Sequence, residues 1–125
     1  MLDELLQLLN RSSVVYDVHV SELVPYGKNA FRLKLRGAVA DGMAFQLWLN
    51  HSDHHTRYAY QLFRRDQPLL RWDNAPHHPE QAKNFPHHFH DEQGQVVASI
   101  LSGNLPADLS LVLTEIENYL QKAKI

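Results

Sequence analysis

The chain has 125 residues, 44% of them hydrophobic and 21% charged, which fits a single domain (1–125) and excludes a disordered or low-complexity protein. The absence of cysteine excludes disulfide scaffolds, thiolate metal sites and cysteine nucleophiles. Twelve Lys and Arg against fourteen Asp and Glu give a net charge of -2, so any anion-binding surface must be local.

No apolar run approaches the roughly 20 residues of a membrane span, and the N-terminus has no basic stretch leading into an apolar one, so a cytoplasmic chain without membrane partners is expected. Leu2, Leu5, Leu6 and Leu9 fall at helical spacing, with Asp3 and Glu4 near the positive end of the dipole, and predict a short amphipathic helix over Met1 to Asn10. From Val14 the period changes to two, and Val14, Tyr16, Val18 and Val20 predict a half-buried strand that Pro25, Gly27 and Asn29 break. Phe31, Leu33 and Leu35 alternate with Arg32, Lys34 and Arg36, and Met43, Phe45, Leu47 and Leu49 continue the apolar set after Asp41-Gly42. A three-residue loop, Ala40-Asp41-Gly42, pairs Leu35 with Leu47 and Leu33 with Leu49, whereas a two-residue loop puts the apolar sets on opposite faces. The first register is preferred. It leaves Arg32, Lys34 and Arg36 beside Asn50, Trp48 and Gln46.

Thr56 to Arg65 and Leu69 to Asp73 predict a second hairpin around Arg65-Asp66-Gln67-Pro68. Asn74 to Asp91 carries three prolines and five histidines without periodicity, the pattern of a long ordered loop that ends in a short strand. Val96 to Ser99 suggests a last strand, and Leu109, Val112, Leu113, Ile116, Tyr119 and Leu120 mark a C-terminal helix packed on the sheet. The fold class expected is α+β: an antiparallel sheet of successive hairpins, with a short N-terminal helix and a longer C-terminal one.

Nine histidines are present, and eight lie between His51 and His90. His19, His51, His54 and His55 fall on a strand face and in a polar hairpin loop, where solvation suffices to explain them. The other five, His77, His78, His87, His88 and His90, share one loop with Arg71 and Asp73. Imidazole titrates near pH 6.5, so one ring can remove a proton while another donates one. These residues suit metal-independent cleavage of RNA, with Arg71 stabilising phosphate charge and Asp73 orienting a histidine. Two other readings compete. Asp73, His77, His78, His88 and His90 offer nitrogen and oxygen ligands to a divalent metal such as zinc, and the same loop can serve a non-catalytic partner-binding module or simply architecture. Arg32, Lys34 and Arg36, with Trp48, can grip phosphates and stack bases, although alternating charge also keeps a sheet face solvated.

The run Arg71-Trp72-Asp73-Asn74-Ala75-Pro76-His77-His78-Pro79-Glu80, followed by Phe85-Pro86-His87-His88-Phe89-His90, closely resembles the signature of the TumE-type toxin family of bacterial toxin-antitoxin modules. The similarity extends from the Asp41-Gly42 hairpin through the Leu109 to Leu120 helix. It implies a small intracellular α+β toxin, held inactive by an antitoxin that is usually a helix-turn-helix DNA-binding protein. Self-association is a further possibility. By position, the resemblance singles out Arg71, Trp72, Asp73, Asn74, His77, His78, Pro79, Pro86, His87, His88 and His90. Two features depart from the expected pattern: the connection Gln81-Ala82-Lys83-Asn84 is unusually polar, and acidic Asp91 and Glu92, which oppose anion binding, follow His90.

Overall fold

In the computed structural model, which describes residues 1–77 and 83–123, the chain runs α1 (Leu2–Arg11), β1 (Tyr16–Gly27), β2 (Ala30–Val39), β3 (Met43–His51), β4 (Thr56–Arg64), β5 (Gln67–Asp73), β6 (His88–His90), β7 (Val96–Ala98) and α2 (Leu105–Ala123). The strands form one antiparallel sheet in sequence order, β1 to β7. Each strand therefore lies beside the one made before it, as expected of successive hairpins.

The β2–β3 hairpin takes the register expected of a three-residue loop: Leu35 pairs with Leu47, Leu33 with Leu49 and Lys34 with Trp48. Asp41 (φ 61°) and Gly42 (φ 75°) are both left-handed, the backbone of a type I′ turn, which the Met43 N–H closes on the Ala40 carbonyl at 3.2 Å. The second turn is tighter than the sequence suggests. Arg65 adopts φ 55°, β5 begins at Gln67, and Pro68 sits inside the strand opposite Phe63, where the register shifts.

Strand β1 departs from the half-buried strand expected from Val14. Val14 and Val15 are buried ahead of the strand, while Tyr16, Val20, Leu23, Val24 and Tyr26 are exposed along it. Alternation reports a strand but not what covers it, and β1 is an edge that neither helix fully overlies. Pro25 does not end it, because an edge strand tolerates a missing outward N–H. Gly37 on β2 lets the entry to β1 approach closely: a Cβ there would collide with Val15 and lie 3.2 Å from the Tyr16 carbonyl.

One face of the sheet carries the core. Leu33, Leu35, Leu47, Leu49, Tyr60, Leu62 and Trp72 meet Leu5 and Leu9 of α1 and Leu109, Val112 and Ile116 of α2, all buried. Helix α2 starts four residues before Leu109, with Asn104 receiving the Ala107 N–H at 3.4 Å and buried Asp108 receiving those of Ser102 and Gly103 at 3.0 and 2.8 Å. Two polar ties fasten it to the sheet: Trp72 Nε1 donates to Glu115 (2.9 Å) and the Tyr60 hydroxyl to the Leu105 carbonyl (3.3 Å). The opposite face carries the site.

Candidate functional site

Antiparallel partners project to the same face, so the registers assemble rows of side chains across the sheet. One row reads Lys34, Trp48, Ala59, Asp73, His88 and Ala98 from β2 to β7. The next reads Arg36, Gln46, Gln61, Arg71, His90 and Val96. A third begins Arg32, Asn50, Arg57. The basic residues of β2 and the Arg71, Asp73, His88 and His90 cluster thus lie on one open face, with Trp48 about 10 Å and Lys34 about 15 Å from Asp73 at the usual strand spacing.

Asp73 is the hub. Its Oδ2 receives Arg71 Nε at 2.7 Å, and its Oδ1 receives the Ala75 N–H at 3.0 Å and lies 2.8 Å from His88 Nε2. His90 Nε2 stands 3.5 Å from Oδ2. Burial works to raise the Asp73 carboxyl, but the hydrogen bonds from Arg71 and Ala75 and the charges of His88 and Arg71 outweigh it and hold the group below the ordinary carboxylate value. His88 Nδ1 donates to the Pro86 carbonyl at 3.1 Å, so both its ring nitrogens face oxygen acceptors. The His90 ring meets the His88 ring edge-on with centroids 5.0 Å apart.

Exposure divides the labour. The side chains of Asp73 and His88 are 4% and 3% exposed, those of His90 and Arg71 31% and 42%. The open face thus presents His90 and Arg71 to solvent, while Asp73 and His88 stand behind them.

His87 lies apart, turned to the helix side of β6. Its Nδ1 is 2.7 Å from the Tyr58 hydroxyl, the rings stack at 5.9 Å, and a Cβ added at Gly103 would lie 3.4 Å from its Cε1. Burial, with the charges of Asp108 and Asp73, raises the Tyr58 hydroxyl above its ordinary value, so it stays protonated beside His87. Burial lowers His87 below its ordinary value, helped by His88 and opposed by Asp108. The same segment is tied down by Asn84, whose amide donates to the carbonyls of Ser99 (2.6 Å) and Leu101 (2.7 Å).

The other site residues expected from the sequence fall as follows. His77 is exposed in the loop after β5, and His78 lies outside the described residues. Arg36 donates to Gln46 at 3.1 Å and sits 4.9 Å above the Phe63 ring, while Arg32 pairs with Glu22 at 3.8 Å. Of the five metal-ligand candidates, Asp73, His88 and His90 bring donor atoms within 4.8 Å of one another, a spacing that can hold a metal ion. Tyr58, Gln61, Asn84 and Asp108 were not singled out from the sequence. Gln61 was within reach through the β4–β5 pairing that sets it opposite Arg71, whereas the other three act through contacts that no local pattern announces.

The family model described as Toxin TumE matches residues 5–120. The chain therefore belongs to the TumE toxin family, in which a toxin works with an antitoxin partner. Neither a curated protein nor a solved structure gives a match. Among the described residues, no helix is long and apolar enough to cross a membrane.

Proposed function

We propose that this toxin cleaves RNA on the open sheet face by metal-independent acid-base chemistry, in the cytoplasm, and that a helix-turn-helix antitoxin restrains it. The observation that carries the reading is the alignment of Lys34 and Trp48 with Asp73 and His88 in one row, and of Arg36 with Arg71 and His90 in the next. Bound across these rows, a single strand has cations for its phosphates, an indole for a base and two accessible polar groups at the far end.

In this reading His90 takes the proton of a ribose 2′-hydroxyl. The oxygen attacks phosphorus, the bond to the 5′-oxygen breaks, and a second imidazole returns a proton to that oxygen, leaving a 2′,3′-cyclic phosphate and a 5′-hydroxyl. His77, the exposed histidine of the loop after Asp73, is assigned that role. Arg71 balances charge on the non-bridging oxygens. Asp73 and His88 position both exposed groups.

The second reading, a divalent metal held by Asp73, His88 and His90, draws on their mutual spacing. The metal-free reading is favoured because Arg71 already brings a cation to Asp73 Oδ2 at 2.7 Å. Labelled RNA incubated with purified protein, with and without EDTA, tests both. Cleavage that survives EDTA upholds the proposal, cleavage lost to EDTA upholds the metal site, and no cleavage in either case overturns the ribonuclease reading.

A further inference from the structure

At the end of the second row, between the β4–β5 turn and the segment that follows β6, the surface sinks into a cavity of about 280 Å³ lined by Gln61, Leu69, Arg71, His90, Asp91 and Glu92 among others. Such a volume lies at the small end of ligand sites and suits one flat heterocycle rather than a folded partner. Its wall changes character across a short distance. Its lining combines Arg71 and His90, the two more exposed members of the cluster, with apolar Leu69 and the carboxyl-bearing Asp91 and Glu92.

The two carboxyl groups differ. Asp91 Oδ1 receives the N–H groups of Gln93 (3.0 Å) and Gln95 (2.9 Å), so this side chain builds the turn. Glu92, exposed beside it, makes no side-chain hydrogen bond or ion pair among the described residues. A carboxylate only accepts hydrogen bonds and repels phosphate. The cavity therefore suits an uncharged group with adjacent donors, while the phosphate stays with Arg71. Among the RNA bases only guanine presents two neighbouring donors, N1–H and N2–H, beside an acceptor, O6. Adenine and cytosine set a lone pair next to their amino group, and uracil flanks its single N–H with carbonyls.

We propose that this cavity is a nucleobase subsite for guanine, with the Glu92 carboxylate accepting N1–H and N2–H and the Gln61 amide donating to O6. The assignment rests on the ribonuclease reading and selects, within it, the phosphate attached to a guanosine. It also gives a use to the acidic pair after His90, which the chemistry of cleavage leaves unexplained.

The test uses the full chain, four oligoribonucleotides that differ only in one central base, and calorimetric titration with guanosine and adenosine 3′-monophosphates. The expected result is faster cleavage at guanosine and tighter binding of the guanosine nucleotide. Glu92→Gln is expected to lower both advantages by about tenfold, the usual loss for a charge-assisted hydrogen bond, with the melting temperature unchanged. Equal cleavage at all four bases, or a guanosine preference untouched by Glu92→Gln, overturns the subsite and leaves the ribonuclease reading standing. Selective binding of the guanosine nucleotide without cleavage of any RNA keeps the subsite and overturns the ribonuclease reading. Equal binding of both nucleotides without cleavage overturns both.

Discussion

His87 and His88 are consecutive in the chain and serve opposite faces of the sheet: His87 Nδ1 lies 2.7 Å from the Tyr58 hydroxyl on the helix side, and His88 Nε2 lies 2.8 Å from Asp73 on the open side. Side chains of adjacent strand residues point apart, so a pair that looks like one motif in the sequence performs two tasks. His87 anchors the segment, and His88 belongs to the cluster.

This division separates stability from activity. His90→Ala is expected to lower RNA cleavage about 100-fold or more and to relieve growth inhibition with little change in melting temperature, because the side chain is partly exposed. His87→Ala removes a part-buried hydrogen bond and a stacked ring, and is expected to cost about 1–2 kcal/mol of stability while the folded fraction still cleaves. Chemical denaturation measured beside cleavage rates checks both. A His90→Ala variant with full activity moves the reacting group elsewhere.

Asp73→Asn removes the buried carboxylate that Arg71, the Ala75 N–H and His88 all address, and is expected to destabilise the protein by about 1–3 kcal/mol, read as a lower urea midpoint. The native carboxyl is held below its ordinary value, so its contribution is present above the unfolded value of 3.8 and fades as pH falls through the folded one. Wild-type stability should therefore drop in this acid window, and the Asn variant should show a flatter profile there.

A second slope lies nearer neutrality. His87 is held below its ordinary value of 6.5, so the unfolded chain binds this proton more readily than the folded one. Stability from this group is full above pH 6.5 and is lost as pH falls below it. His87→Gln should flatten the curve between pH 6.5 and the acid window. An unchanged slope in that variant assigns the effect to another histidine.

Glu115 runs in the opposite sense. Burial raises its carboxyl above the ordinary 4.5, and the Trp72 hydrogen bond only partly offsets this. A raised carboxyl contributes stability that is full below the unfolded value and lost as pH rises through the folded one. Glu115→Gln, still able to accept from Trp72, should melt higher than wild type at pH 7, with the gap closing toward pH 4. Calorimetry at the two pH values decides.

On the open face, replacing Arg32 and Lys34 together by Ala should weaken RNA binding and reduce the salt slope by roughly 1.4, at about 0.7 per lost phosphate contact on a single strand. Binding titrations at several salt concentrations measure this. An unchanged slope identifies the basic strip as a solvated surface.

The hairpin cores and the preferred β2–β3 register were legible, because Leu33, Leu35, Leu47 and Leu49 alternate strictly and Asp41-Gly42 names the turn. The burial of β1 was not: its alternation is real, but coverage depends on where α1 and α2 lie, which no local period encodes. The cluster was legible as a composition and not as a geometry. Arg71, Asp73, His88 and His90 were all named, yet the opposite orientation of His87 requires knowing that β6 begins at His88. The clamp from Asn84 to Ser99 and Leu101 and the tie from Trp72 to Glu115 join distant residues, and periodicity carries no information about such pairs.

The connection from β5 to β6 has a consequence for the growing chain. Strands β1 to β5 are linked by tight turns and can zip in order during synthesis, whereas Arg71 and Asp73 meet His90 and His88 only after a far longer loop has closed. That closure is held by Asn84 and His87 against residues 99–103, which are made later still. A nascent or truncated chain that stops short of that segment can hold all four residues of the cluster, but it lacks the carbonyls of Ser99 and Leu101 that Asn84 grips. In the ribonuclease reading, assembly of the cleaving cluster therefore waits on residues 99–103, which lie outside the cluster itself.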